Sequence, residues 1–282
     1  MTPDGYKIVM FRVFNGAFSA RKPVFLQHGL FSDSTTWVVH GPESLAFQLA
    51  NQGYDVWCGN NRGNQYGRAH LLDIAPKDFF DYSFWENAQF DTVTQIEHAL
   101  QVTGHRKLSY VGHSQGTTQM FSLLSASTRL HDKIDLFVAL APIVYLSHQQ
   151  EAVLREGAHI WSIVYGATKL FHIYEINDSL QQDFKMFCSN YQGLCDHFHK
   201  LFHGQASPFA DAQADWRQNQ IGLSSASTRQ ICHFSQLIAS GNFAKFDYGA
   251  QENIKRYGQK EPEKFNLSNI PHDIPIALLV GK

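Results

Sequence analysis

The sequence predicts an α/β fold: a mostly parallel sheet flanked by helices, interrupted by a helical insert. Three observations predict it. From Pro23 to Pro142, short apolar runs alternate with stretches of helical periodicity, the pattern of strand–helix–strand units in a parallel sheet. The run from Leu108 to Val111 leads straight into GHSQG, Gly112–Gly116, and then into a helical stretch. From about Ser147 to Asn242 the pattern is helical with no clear strand, and an apolar strand returns only at IPIALLVG, Ile274–Gly281.

Each element has its own signal. Ile8, Met10 and Val13 mark an early strand closed by Asn15-Gly16. PVFLQHG is a continuous apolar run, hence a strand buried on both faces, ending at Gly29. SLAFQLANQG is an amphipathic helix stopped by Gly53. YDVWCGN is the next strand and opens a Gly-rich loop, GNNRGNQYG. FWENAQFDTVTQIEHALQVTG is a helix, with Ile96, Ala99, Leu100 and Thr103 at turn spacing and Gly104 behind it. KLSYVGHS is a strand, the stretch with Met120, Leu123 and Leu124 a helix, and DLFVALAP a further strand. The chain thus divides into the first part of a core (1–146), a helical insert (147–243) and a return to the core (244–282).

Composition narrows the function. Of 282 residues, 44% are hydrophobic and 17% charged, ordinary for a globular protein. A net charge of −2, with no run of Lys or Arg, argues against a nucleic-acid partner. The longest apolar stretch, IDLFVALAPIVYL, is too short to span a bilayer and holds Asp135 and Pro142, so no transmembrane segment is expected. The opening residues, MTPDGYKIVMFRVF, lack the pattern of a signal peptide. The 22 Phe fit a large core or an apolar cleft equally well. Four Cys do not make a disulfide framework; for Cys188 and Cys195, close in sequence, a bridge and free thiols both stay open. Glycosylation sequons stand at Asn177 and Asn266. His197, His199 and His203 match no zinc spacing and read as a polar face, so neither a metal nor a cofactor is expected.

The chemistry centres on Ser114. Its G-x-S-x-G lies between a strand and a helix, the setting in which a sharp turn lifts a serine oxygen above the sheet, with Gly112 and Gly116 letting strand and helix pass closely. An ordinary Gly turn carrying a Ser is the bland alternative. If Ser114 is a nucleophile, the backbone N–H of Gln115 is one oxyanion donor, and the second comes from the loop after an earlier strand, here HGLF. His28 in that loop reads as structural, because the base of such a site follows the serine in the chain. His113 flanks the nucleophile and should point away from it, and the Asn60–Arg62 loop reads as scaffold.

Three stretches together, LQHGLFSDSTTW, GYDVWCGNNRGN and YVGHSQGTT, resemble the acid lipase family of gastric and lysosomal acid lipases. TPDGY near the start, SSASTRQICHFSQLIASGNFAKFDYG and EKFNLSNIPHDIPIALLVGK extend the resemblance over nearly the whole chain. It implies an α/β-hydrolase core with a helical cap. It implies hydrolysis of triacylglycerols or sterol esters through a Ser114 acyl-enzyme, with a lipid ester or lipid–water interface as partner, in the secretory pathway or lysosome. It assigns the second oxyanion donor to Leu30 and suggests a Cys188–Cys195 bridge.

The remaining triad members should follow Ser114 in the order acid, then His. No acid follows the DLFVALAP strand until Glu151; Asp273 and His272 lie at the amino end of the last strand, and Asp247 lies upstream of it. The expectation is therefore that base and acid lie beyond Lys282 with the last strand and helix of the core, that the sequence is a fragment cut at both ends, and that it is inactive as written. Two rivals remain: another acyl hydrolase, such as a peptidase or thioesterase, and a non-catalytic lipid-binding protein.

Overall fold

The computed structural model describes residues 1–16, 21–147, 152–176 and 224–281. Its elements, in chain order, are β1 (Tyr6–Lys7), β2 (Phe11–Val13), β3 (Pro23–Gln27), α1 (Leu45–Asn51), β4 (Asp55–Cys58), β5 (Ala69–His70), α2 (Pro76–Phe79), α3 (Phe84–Glu86), α4 (Val93–Thr103), β6 (Leu108–His113), α5 (Gln115–Ala126), β7 (Ile134–Leu140), α6 (Ala152–Leu170), β8 (Glu175–Ile176), β9 (Ala226–Ser227), α7 (Thr228–Ser240), α8 (Ala250–Tyr257) and β10 (Ile276–Leu279). The main sheet runs β10-β7-β6-β3-β4-β2. Its first five strands are parallel, and β2 lies antiparallel at the edge.

Side-chain alternation builds two cores from the same strands. Val24, Leu26, Val56, Cys58 and Val111 point to the face covered by Ala46 and Ala50 of α1. Phe25, Trp57, Leu108, Tyr110 and Phe137 point to the other, under Ile96, Leu100, Met120 and Leu124 of α4 and α5. Both faces of β3, β4 and most of β6 are buried, which is why those strands read as unbroken apolar runs. Among the described residues no helix is long and apolar enough to cross a membrane.

Three expectations need correction. The early strand is two: β1 pairs with β5, and β2 joins the main sheet against β4. The chain breaks between them because Val9 turns to the Gly-rich loop, its N–H donating to Tyr66 O (2.9 Å) and its carbonyl accepting from Asn60 Nδ2 (2.9 Å). The long helix after Phe84 is not uniform: Asn87–Thr92 forms a π-helical turn between α3 and α4. The wider turn brings Asn87, Asp91 and Gln95 to face the loop partners described below, a use of π-turns common at special sites. The stretch 147–243, read as having no clear strand, contains the short antiparallel β8–β9 ladder. The expected Cys188–Cys195 pair, Asn177, His197, His199 and His203 lie outside the described residues; Cys58 and Cys232 are free and buried.

Candidate active site

Ser114 has φ 51° and ψ −117°, a conformation that a residue with a side chain adopts at a cost of ~1–3 kcal/mol. The surroundings enforce it. Ser114 N–H donates to Leu140 O (3.0 Å), tying the turn to the exit of β7. Thr117 Oγ1 donates to Ser114 O (2.6 Å) and accepts from Ile143 N–H (2.9 Å). The two flanking glycines are required by contact. A Cβ on Gly112 would stand 2.7 Å from the Gly116 carbonyl carbon, and one on Gly116 would stand 2.5 Å from Gln27 O. Tyr110 OH donates to Gly116 O (2.8 Å) and closes the strand–helix crossing. Ser114 is half-buried, and its hydroxyl makes no capping bond to α5.

The loop after β3 lies against this turn. A Cβ on Gly29 would meet Ser114 Cβ at 3.1 Å and His113 Nδ1 at 3.2 Å, so a larger residue would crowd the HGLF stretch against the serine. Leu30 follows, and among the described residues no backbone hydrogen bond claims its N–H. Gln115 opens α5, where a helix leaves its first N–H groups unpaired. The structure thus brings Ser114, Gln115 and the Leu30 loop together at the carboxyl ends of β6 and β3.

His28 is built into the scaffold. It is 2% exposed. Its Nδ1 pairs with Gly29 O (2.8 Å) and its Nε2 accepts from Asn61 N–H (3.2 Å). Burial drives its pKa down to about 4, which keeps the ring neutral. The Asn60–Arg62 loop is scaffold as well. Arg62 is buried, bonds Asp91 (2.7 Å) and Asp4 (2.6 Å), and lies over the Tyr6 ring. Asn60 N–H donates to Gln95 Oε1 (2.9 Å), and Asn60 Oδ1 accepts from Ser34 N–H (2.9 Å).

The other candidate acids and bases stand apart from Ser114. His272 and Asp273 precede β10, which runs parallel to β6 through β7, so they sit at the opposite end of the sheet from the serine. Asp247 Oδ1 accepts from Gly249 N–H (2.8 Å) and Asn253 Nδ2 (2.7 Å), a turn role. His233 is buried against the Phe84 ring, with Nε2 on Ala244 O (2.9 Å). Among the described residues no histidine hydrogen-bonds the Ser114 hydroxyl, and no group of three or more His, Cys, Asp or Glu could hold a metal.

Sequence reasoning missed one part of the site. Ser224, at the end of the insert, donates its N–H to Phe31 O (2.9 Å), and Gln230 Nε2 donates to Gln115 Oε1 (3.1 Å). Both lie in the SSASTRQ stretch that extends the family resemblance, but no local pattern gave either a role, since both act by contact across the fold. Between Ser225, Ala226 and Gln230 on one side and the Leu30 loop on the other lies a crevice of about 10 Å³, too small for an acyl chain.

A family model described as alpha/beta hydrolase fold matches residues 22–161, and one described as partial alpha/beta-hydrolase lipase region matches residues 1–41. The chain is 32% identical to lipase member K of Homo sapiens, 33% to gastric triacylglycerol lipase of Bos taurus, and 35% to lipase lipl-1 of Caenorhabditis elegans. Each alignment covers 99% of this chain and 72% of the relative.

Proposed function

The chain belongs to the acid lipase family of α/β-hydrolases and is of the lipase ester-hydrolase type, and from that premise we propose that it cleaves triacylglycerols or sterol esters through a Ser114 acyl-enzyme. The observation that carries the reading is Ser114 itself: a non-glycine at φ 51° between β6 and α5, with the Gly29 loop packed on its Cβ. Its oxygen attacks the ester carbonyl carbon while its proton passes to an imidazole. The carbonyl oxygen becomes an oxyanion held by the Gln115 and Leu30 N–H groups. Collapse of this intermediate expels the alcohol, which takes the proton back. Water then repeats the sequence on the acyl-enzyme and releases the fatty acid. We place the imidazole outside the described residues, since His28 is committed to Gly29 and Asn61.

The insert, 147–243, is assigned as a cap over this site. On α6, Ile160, Ile163 and Leu170 are exposed, with Phe171 just beyond the helix end, and they suit an approach for long acyl chains or a lipid–water interface. The proposed setting is the secretory route or a lysosome. Asn266 fits it: the residue is exposed, and its side chain turns onto Ser268, the hydroxyl residue of its sequon.

The test uses protein expressed from its complete coding sequence. Ser114→Ala should abolish turnover and fluorophosphonate labelling while leaving the melting temperature unchanged. More than a few per cent of residual turnover would remove Ser114 from the role. A panel of long-chain triacylglycerol, cholesteryl ester, short ester, thioester and peptide separates a lipase from another acyl hydrolase, and a protein inert on all of them would be the lipid-binding alternative.

A further inference from the structure

Resting on the reading of Ser114, Leu30 and Gln115 above, we infer that the stretch from Ser224 to Gln230 clamps both oxyanion donors in register, with Ser224 and Gln230 as positioning residues. An oxyanion hole works only if its donors stand about 3 Å from one point, and displacement by a fraction of an ångström weakens it steeply. Here the donors come from two loops far apart in sequence. The pairing of β3 with β6 and the Gly29–Ser114 contact bring them close, and their final register depends also on what bridges them beyond that contact.

Ser224 holds the first. Its N–H donates to the carbonyl of Phe31 (2.9 Å), the residue after Leu30. Phe31 has φ 57°, so its backbone needs outside support to persist. Ser224 Oγ also donates to Asp33 Oδ2. That carboxylate accepts from Thr35 N–H (2.8 Å), Thr35 Oγ1 (2.6 Å) and Gln65 Nε2 (2.8 Å), which closes the loop on itself.

Gln230 holds the second. Its Nε2 donates to Gln115 Oε1 (3.1 Å) and to Asn87 Oδ1 (2.8 Å), and its Oε1 accepts from Ser227 N–H (3.0 Å). Gln230 is 3% exposed and Gln115 1%, so water cannot readily replace these bonds. The bridge is itself anchored. Ser227 Oγ donates to Phe80 O (2.6 Å), and Arg229 pairs with Glu86 (3.1 Å) and Asp81 (2.9 Å). The end of the insert is thus part of the machinery that aims the donors as well as a cover over it.

The experiment compares Gln230→Met and Ser224→Ala with wild type, all expressed from the complete coding sequence, on a soluble short ester and its thionoester. Sulfur is a weak hydrogen-bond acceptor, so the thionoester draws little from the hole. Gln230→Met should lower kcat on the oxygen ester about tenfold, a fraction of the loss of a whole donor. KM should stay within about twofold, and the thionoester kcat should fall far less than that of the oxygen ester. Ser224→Ala should move the same ratio in the same direction, and it carries the test if Gln230→Met fails to fold. Equal losses on both substrates, or no change in their ratio, would overturn the clamp. Ser114→Ala, run alongside, separates the two readings: if it stays active, the nucleophile assignment falls and the clamp with it. If it is dead while the ratio is unmoved, only the clamp falls.

Discussion

His233 shows how a single buried ring links pH to stability. It stacks on Phe84 with ring centroids 4.1 Å apart, and its Nε2 meets Ala244 O. Burial lowers its pKa to about 4; of the nearby charges, Glu86 opposes that shift and Arg229 adds to it. The sign follows from proton binding. Between about pH 6.5 and 4 the unfolded chain binds a proton at this site and the folded chain does not, so stability falls as pH falls through that window. At pH 5 the loss is about 2 kcal/mol. His28, lowered to about 4 in the same way, adds to it. Above their unfolded values near pH 4, the lowered Asp4, Asp33 and Glu86 contribute stability that is lost only at more acid pH. His233→Phe keeps the stacking and removes the titration. Its melting temperature should depend on pH less steeply than wild type between pH 7 and 5, and parallel curves would contradict the assignment.

The π-turn between α3 and α4 joins distant parts of the sequence. Through Asp91 it binds Arg62 of the Gly-rich loop, Arg62 in turn holds Asp4 near the amino terminus, and Asn87 reaches Gln230 at the end of the insert. Arg62→Met leaves the Asp91 carboxylate fully buried without its cation. That should cost ~3–5 kcal/mol, read as a drop in denaturation midpoint. Asp91→Asn with Arg62→Met should recover part of the loss, because it removes the stranded charge. This element also marks where sequence reading stops. The strands β3, β4 and β6 and the Ser114 turn were legible, because each rests on local signals: buried runs, Gly spacing, a strand–turn–helix order. The π-turn was not, since Asn87–Thr92 carries no motif that sets it apart from the helix around it and only Arg62 and Gln230, far away in sequence, give the wider turn its purpose. Scaffold roles for His28 and Arg62 were legible from chain order and loop context, whereas the contacts of Ser224 and Gln230 exist only in the folded chain.

At the scale of the whole molecule, the proposed insert, 147–243, shares buried contacts with the core. Leu237 and Phe243 belong to the same buried cluster as Phe25 and Phe137 of the sheet, and Arg229 is buried against Glu86. Removing 147–243 would lose the burial of two large apolar side chains, ~1.5–3 kcal/mol each. It would also strand the Glu86 carboxylate, at ~3–5 kcal/mol. Together these rival the ~5–15 kcal/mol that separates a folded domain from its unfolded chain. A deletion of 152–223, bridged by a flexible Gly-Ser linker, removes α6 and β8 but spares α7, Arg229 and the bonds that Ser224 and Gln230 make to Phe31, Asp33, Asn87 and Gln115. The two deletions should therefore behave differently when made in protein from the complete coding sequence. The larger should aggregate and hydrolyse nothing. The smaller should give a cooperative thermal transition and retain short-ester turnover, while losing long-chain substrates, whose binding gains most from apolar contact with the removed segment. Differential scanning calorimetry with parallel assays on a soluble butyrate ester and emulsified triolein makes the comparison. If the larger deletion also folds and cleaves the butyrate ester, the segment from Ser224 to Phe243 is dispensable to the core, and the boundary read from the sequence is the physical one.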